Sequence, residues 1–259
     1  MRTALLSDGH GNALALRAVV DELDREGIDR AVCLGDMLQG GPQPRESLDL
    51  LRERGWPAVL GNADAFLLDP RTAEGSQEPV TEAQLEARAW SRAQLSDEDA
   101  AEVAGWPLAL EVELGHGRAL LAFHATPASY EPLLWPTAAE DEFRRLLGPL
   151  DAEVAAGGHT HLQFVRRVGR SIFLNPGSVG LSYDHEQPEE GFAPDPWAAY
   201  AVVSSEASAL RLELRRLALD PLAVAAATRS SGMPNAEQGA LMWERAAARP
   251  RGGEAPARR

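Results

Sequence analysis

The amino-acid sequence predicts an α/β fold assembled from β-α-β units. Three short apolar runs, at 3–6, 31–34 and 58–60, each break at a turn that pairs Gly with Asp or Asn. Amphipathic helical stretches separate them, the alternation that yields parallel strands joined by crossover helices. The chain has 259 residues, 44% of them hydrophobic, which suits one large domain with a layered core.

Each element has its own local reason. Thr3-Ala4-Leu5-Leu6 is a buried-strand run, and Ser7-Asp8-Gly9-His10-Gly11-Asn12 follows it as a tight polar turn. Leu16, Val19, Val20 and Leu23 recur at helical spacing up to Gly27, a natural left-handed cap. The run at 31–34 ends in Gly35-Asp36. Pro44 suits the first position of a helix that buries Leu48 and Leu51 and stops at Gly55. The run at 58–60 ends in the turn Gly61-Asn62-Ala63-Asp64. Residues 70–80 are polar and read as a loop. Thr81 with Gln84 and Ser96 with Asp99 are capping-box starts for helices at about 82–95 and 97–104. We expect this insertion, about 70–107, on the rim of the core, as a cover for substrate or as a plain lengthening of the domain.

The character then turns to β. Residues 110–114 alternate with period two, Gly115-His116-Gly117 is a turn with an exposed histidine, and 118–123 return and end at His124. A helix is expected around 138–147. The short run 154–156 ends in Gly157-Gly158-His159-Thr160-His161, and 164–168 with 171–174 form a hairpin closed by Asn175-Pro176-Gly177-Ser178-Val179-Gly180. Two more strands follow at 199–203 and 210–214, the second with Leu210, Leu212 and Leu214 on one face. Residues 220–228 and 235–247 are helical in pattern. The expectation is one domain over 1–247 and a small, basic, disordered tail over 248–259.

Composition narrows the function. The net charge of −14 repels nucleic acid polymers but admits a small phosphate compound where metals supply positive charge. The chain contains no lysine. Cys33 is the single cysteine, so no internal disulfide forms; it reads as a small core residue and suits a reducing cytoplasm. The first residues read as a strand rather than a signal peptide, and no apolar run is long enough for a membrane span. We therefore expect a cytoplasmic protein without membrane contact; the oligomeric state is not encoded in any motif.

Seven polar residues gather at strand ends: Asp8, His10, Asp36, Asn62, His124, His159 and His161, with four of the six histidines among them. The carboxyl edge of an open α/β sheet is where such folds place their sites. Seven N and O ligands exceed the need of one ion, and a shared carboxylate would make a binuclear centre with ions about 3.5–4 Å apart. Imidazole with carboxylate suits Mn, Fe, Co, Ni or Zn, not Ca, and there is no thiolate set for structural zinc.

The order Asp8-x-His10-Gly-Asn, Gly35-Asp36, Gly61-Asn62-x-Asp64, a lone His124 and Gly158-His159-x-His161 resembles the calcineurin-like metallophosphoesterases. Asn175-Pro-Gly-Ser-Val resembles their small bacterial phosphodiesterase branch, and the match spans roughly residues 2–205. The resemblance implies a four-layer αββα sandwich of two mixed sheets flanked by helices. It implies two divalent ions, manganese first among the candidates. Asp8, His10 and His161 would hold one, Asp36 would bridge, and Asn62, His124 and His159 would complete the other. A metal-bridging hydroxide would then attack phosphorus, with Asp36, Asn62 and Asp64 as the catalytic group. Many relatives carry a histidine after the asparagine that helps stabilise the transition state or protonate the leaving group; here that position is Ala63. His185 and Tyr183 are candidate replacements, or ordinary loop residues. Asn12 reads as a helix cap, a brace of the metal loop, or both, and Ser178 as a phosphate contact or a turn hydroxyl. The missing imidazole favours phosphodiesters or activated esters in small nucleotide-like substrates. A phosphomonoesterase, a protein phosphatase, a dinucleoside polyphosphate hydrolase and a non-catalytic scaffold of the same fold are the alternatives.

Overall fold

Local signals account for most of the chain in order. The computed structural model describes residues 1–71 and 80–249. β1 (Arg2–Leu6) leads to α1 (Ala13–Arg25), whose cap Asn12 accepts the Ala15 N–H, and the chain leaves the helix through left-handed Gly27. β2 (Ala31–Cys33) precedes α2 (Pro44–Arg54), opened by a proline and closed by left-handed Gly55. The next two elements differ from expectation. The run at 58–60 makes a single parallel bridge, Ala58 with Cys33, because the Leu60 N–H turns away to the Pro107 carbonyl. The stretch read as a turn at 61–64 opens a short helix, α3 (Asn62–Leu68). Its N-cap is Gly61, which has no side chain to announce a helix; the Asp36 carboxylate accepts the Ala63 N–H in its place, 27 residues away in sequence.

Most of the loop expected at 70–80, namely 72–79, lies outside the described residues. α4 (Glu82–Ala93) and α5 (Asp97–Ala104) begin at the two expected capping boxes. Asp99 also receives Arg45 and Arg52 from α2, which fastens α5 to it. β3 (Ala109–Gly115) and β4 (Arg118–Phe123) form a hairpin, followed by α6 (Glu140–Leu147), β5 (Val154–Ala156), β6 (Gln163–Val168) and β7 (Ser171–Pro176). β8 (Trp197–Glu206) and β9 (Ala209–Ala218) are a hairpin longer than its sequence pattern suggested. α7 (Pro221–Ser230) and α8 (Ala236–Ala248) complete the described chain. The helix runs into the stretch expected as a tail from 248, and residues 250–259 lie outside the described residues.

The strands form two mixed sheets. One has the order β2-β1-β8-β9, with β1 parallel to β2 and antiparallel to β8. The other has the order β3-β4-β5-β7-β6, parallel across β4, β5 and β7 with antiparallel edges. Alternation along each strand sorts side chains into layers. Ala4 and Leu6 join Leu16, Val19, Leu48 and Leu51 beneath α1 and α2, while Leu5 turns to the opposite side. There it meets Val32 and Ala201 of its own sheet and Leu120, Val154, Ala156 and Leu174 of the other. Phe123, Ala155 and Phe173 point outward onto Phe143 and Leu147 of α6. Helices, sheet, sheet, helix: the four-layer αββα sandwich is present. Cys33 is fully buried in the first sheet, and burial pushes its thiol pKa well up. Among the described residues, no helix is long and apolar enough to cross a membrane.

Candidate metal centre

The turns that follow β1, β2, β4 and β5 converge at one edge of the sandwich, laced together by backbone hydrogen bonds. The Asp8 N–H donates to the Gly35 carbonyl at 3.0 Å and the His10 N–H to the Asp36 carbonyl at 2.8 Å. The Gly158 N–H donates to the His124 carbonyl, also at 2.8 Å, and the His159 N–H to Asp8 Oδ2 at 3.1 Å. Glycine is required where these loops touch. A Cβ on Gly61 would lie 2.1 Å from Asp36 Oδ1, and one on Gly158 would lie 1.8 Å from Ser7 Oγ. The side chains themselves pay in backbone strain. Asp8, His10, Asp36, His159 and His161 all have positive φ, between 45° and 68°, a region non-glycine residues visit only when their surroundings hold them there.

Two triads result. Asp8, His10 and His161 form one, Asp36, His124 and His159 the other, and within each the possible ligand atoms lie within 4.8 Å of one another. His161 Nε2 is 3.2 Å from Asp8 Oδ1 and 3.0 Å from His10 Nε2. His124 Nε2 is 3.3 Å from Asp36 Oδ2, 3.2 Å from His159 Nδ1 and 3.0 Å from Asn62 Oδ1, so the asparagine amide completes the second group.

The outer ring nitrogens explain why these inner atoms suit a cation. His10 Nδ1 donates to the Gln39 carbonyl, His124 Nδ1 to that of Leu34, His161 Nδ1 to that of Leu181 and His159 Nε2 to that of Glu131, at 2.6–3.0 Å. A carbonyl only accepts, so each ring keeps its proton outside and aims a lone pair inward. Lone pairs facing each other at 3.0 and 3.2 Å repel unless positive charge lies between them. Asp8 Oδ1, buried and without a hydrogen-bond partner, is a further acceptor awaiting a cation. The residues present fit divalent ions of the N/O-preferring kind.

The electrostatics agree. Burial works against charge at Asp8 and Asp36, yet His161 and His124 respectively hold the two carboxyls below their ordinary values. Burial also opposes charge on the rings, but Asp36 lifts His124 to about 9 and Asp8 raises His161. Their neighbours move the other way: burial and the His124 charge bring His159 down to about 4, and burial with His161 lowers His10. The triads also sense each other, since Asp36 acts on His10 and Asp8 on His124.

The centre opens into a cavity of about 350 Å³ lined by His10, Asp36, Asn62, His159 and His161 on one side. The other expected residues fall into distinct places. Ala63 lines the cavity. Asp64 does not: it is fully buried and accepts the N–H groups of Met37 and Leu38, holding the loop after Asp36. Tyr183 lines the cavity with its ring against His161, whereas His185 is turned to the Thr160 carbonyl at 2.7 Å. Ser178 is a turn hydroxyl that donates to the Asp8 carbonyl. Asn12 has both expected roles, capping α1 and donating to the Gly180 carbonyl at 3.0 Å. Sequence reasoning missed Phe66 of α3 and Gln84 and Arg88 of α4, which also line the cavity; helical spacing says which residues share a face, not what that face looks at.

A family model described as the calcineurin-like phosphoesterase superfamily domain matches residues 1–193. The chain belongs to that superfamily. It is 27% identical over 183 residues to an uncharacterized protein of Methanocaldococcus jannaschii, covering 70% of this chain and 71% of that one. Its fold is similar to that of a metallophosphoesterase from Sphaerobacter thermophilus, with a TM-score of 0.69 and 24% identity over 93% of this chain and 98% of the other. It is similar also to a hypothetical protein of Pyrococcus horikoshii, with a TM-score of 0.72 and 17% identity over 92% and 96% of the two chains.

Proposed function

We propose that this chain is a manganese-dependent phosphodiesterase acting on small nucleotide-like substrates in the cytoplasm. The observation that carries the reading is the pair of triads whose inward lone pairs meet beside a cavity of nucleotide size. Asp8, His10 and His161 would hold one ion and Asp36, Asn62, His124 and His159 the other, with Asp36 between them. Bound divalent ions supply Lewis acidity toward phosphoryl oxygens and acidify water so that it can attack phosphorus. The protein's own part is to fix the ligands. Four backbone carbonyls lock the ring tautomers, and Asp64 fastens the loop that presents Asp36. The neutral Asn62 amide adds no negative charge and leaves the centre attractive to an anionic phosphate.

Ala63 shapes the selectivity. It presents a methyl group to the cavity where an imidazole would protonate a departing alkoxide. Esters with good leaving groups, and diesters before alkyl monoesters, are therefore the favoured substrates. The deciding experiment strips the metal, then measures hydrolysis of bis(p-nitrophenyl) phosphate and p-nitrophenyl phosphate with and without added Mn. Manganese-dependent cleavage that favours the diester is expected. Preference for the monoester would make it a phosphomonoesterase, and no cleavage under any divalent ion would favour the scaffold reading.

A further inference from the structure

The loop that follows β7 carries a tyrosine to the metal centre. The two residues before Tyr183 are tied down. The Leu181 carbonyl accepts from His161 Nδ1 at 2.6 Å, and the Ser182 carbonyl accepts the Asp195 N–H at 2.7 Å. Three other rings then grip the side chain. Centroid distances from the Tyr183 ring are 5.3 Å to His161, 4.4 Å to His185 and 5.4 Å to Phe192. His185 is itself fixed, by the Thr160 carbonyl and by an edge-on contact with Trp135. A tyrosine has only two side-chain torsions, so such packing holds the ring in one orientation at little entropic cost.

The hydroxyl stands apart from this packing. A packed tyrosine normally gives its O–H a partner. That of Tyr183 has no hydrogen-bond partner among the described residues, and it is not sealed from solvent. Tyr183 lines the same cavity as His10, Asp36, Asn62, His159 and His161. Burial first and the Asp8 charge second raise its pKa, so the hydroxyl lies within electrostatic reach of the first triad. A neutral phenol is a hydrogen-bond donor at ordinary pH. Its place differs from that of Ala63, which follows Asn62 of the second group, whereas Tyr183 stands against His161 of the first. A donor on that side suits the charged oxygens of a phosphoryl group rather than the departing alkoxide.

We propose that Tyr183 is a further substrate-binding residue, whose hydroxyl donates a hydrogen bond to a non-bridging phosphoryl oxygen on the His161 side of the cavity. This deepens the phosphodiesterase reading and rests on the same centre. Tyr183→Phe tests it, because the ring keeps its packing against His161 and no internal hydrogen bond is lost. The variant should melt with the wild type and take up as much manganese. Calorimetric titration of the manganese-loaded full chain with inorganic phosphate should show affinity lower by about ten- to a hundredfold, the worth of one hydrogen bond to a charged group. Methyl p-nitrophenyl phosphate and methyl phenyl phosphate differ in leaving group alone, and kcat/KM should fall by a similar factor for both. Phosphate binding equal to that of the wild type overturns the proposal, as does a wild-type protein that binds no phosphate. A loss confined to the phenyl ester also overturns it, since the hydroxyl would then serve the departing oxygen. So does a Tyr183→Phe protein that takes up less manganese, which would make Tyr183 a support of His161. Absence of diester hydrolysis in the wild type, with the phosphate contrast intact, counts against the phosphodiesterase reading alone.

Discussion

Asp36 does two jobs with its two oxygens. Oδ1 accepts the Ala63 N–H at 2.7 Å and so starts α3; Oδ2 faces His124 at 3.3 Å. Asparagine is nearly isosteric and keeps an acceptor for Ala63, but it loses the charge that holds His124 near 9. Asp36→Asn should therefore melt close to the wild type, take up less manganese and lose more than roughly a hundredfold in diester hydrolysis, the scale on which even supporting groups of a metal site act. Activity within tenfold of wild type would remove Asp36 from the centre. The gathering of seven candidate ligands was legible at this scale because ligand chemistry is a property of residue type, and seven such residues stood at strand ends. The role of Asp64 was not legible: a carboxylate beside a site looks the same in sequence whether it faces the substrate or ties down the loop behind it.

At the scale of elements, signals within three or four residues were readable and signals from distant residues were not. Both capping boxes stand where Thr81 with Gln84 and Ser96 with Asp99 placed them. The helix at Asn62 was missed because its capping group, Asp36, comes from another turn, and the third strand shrank because Leu60 pairs with Pro107. Asp99 offers a test of the readable kind. Burial would raise its carboxyl, but the Ser96 groups and Arg52 bring it down to about 2, below its ordinary value near 3.8. A depressed carboxyl stabilises the fold above its unfolded pKa, and that contribution fades as pH falls from about 4 to 2. Asp99→Asn should cost about 1–2 kcal/mol at pH 7, through the cap and the pairs to α2. The gap to wild type in urea melts should close toward pH 2; a gap of equal size at both ends would mean that the charge of Asp99 does not contribute.

For the whole molecule, period-two alternation distributes one chain among four layers: Leu5 between the sheets, Leu6 under the helices, Phe123 on the far side. Alternation in the sequence showed that strands exist but not which two sheets they join, since β8 returns to pair with β1 from almost 200 residues away and carries β9 on its other edge. The placement of Cys33 turns that architecture into an instrument. The lone thiol is sealed in the first sheet, and its high pKa leaves almost no thiolate to react. A thiol reagent can mark this protein only when the sheet itself comes apart, so the labelling rate is a clock for opening of the core. With metal added the clock should slow, because ions held by the turns after β1, β2, β4 and β5 would bind the two sheets' edges together and favour the closed state by mass action. Equal labelling rates with and without manganese would mean that the ions do not brace the fold.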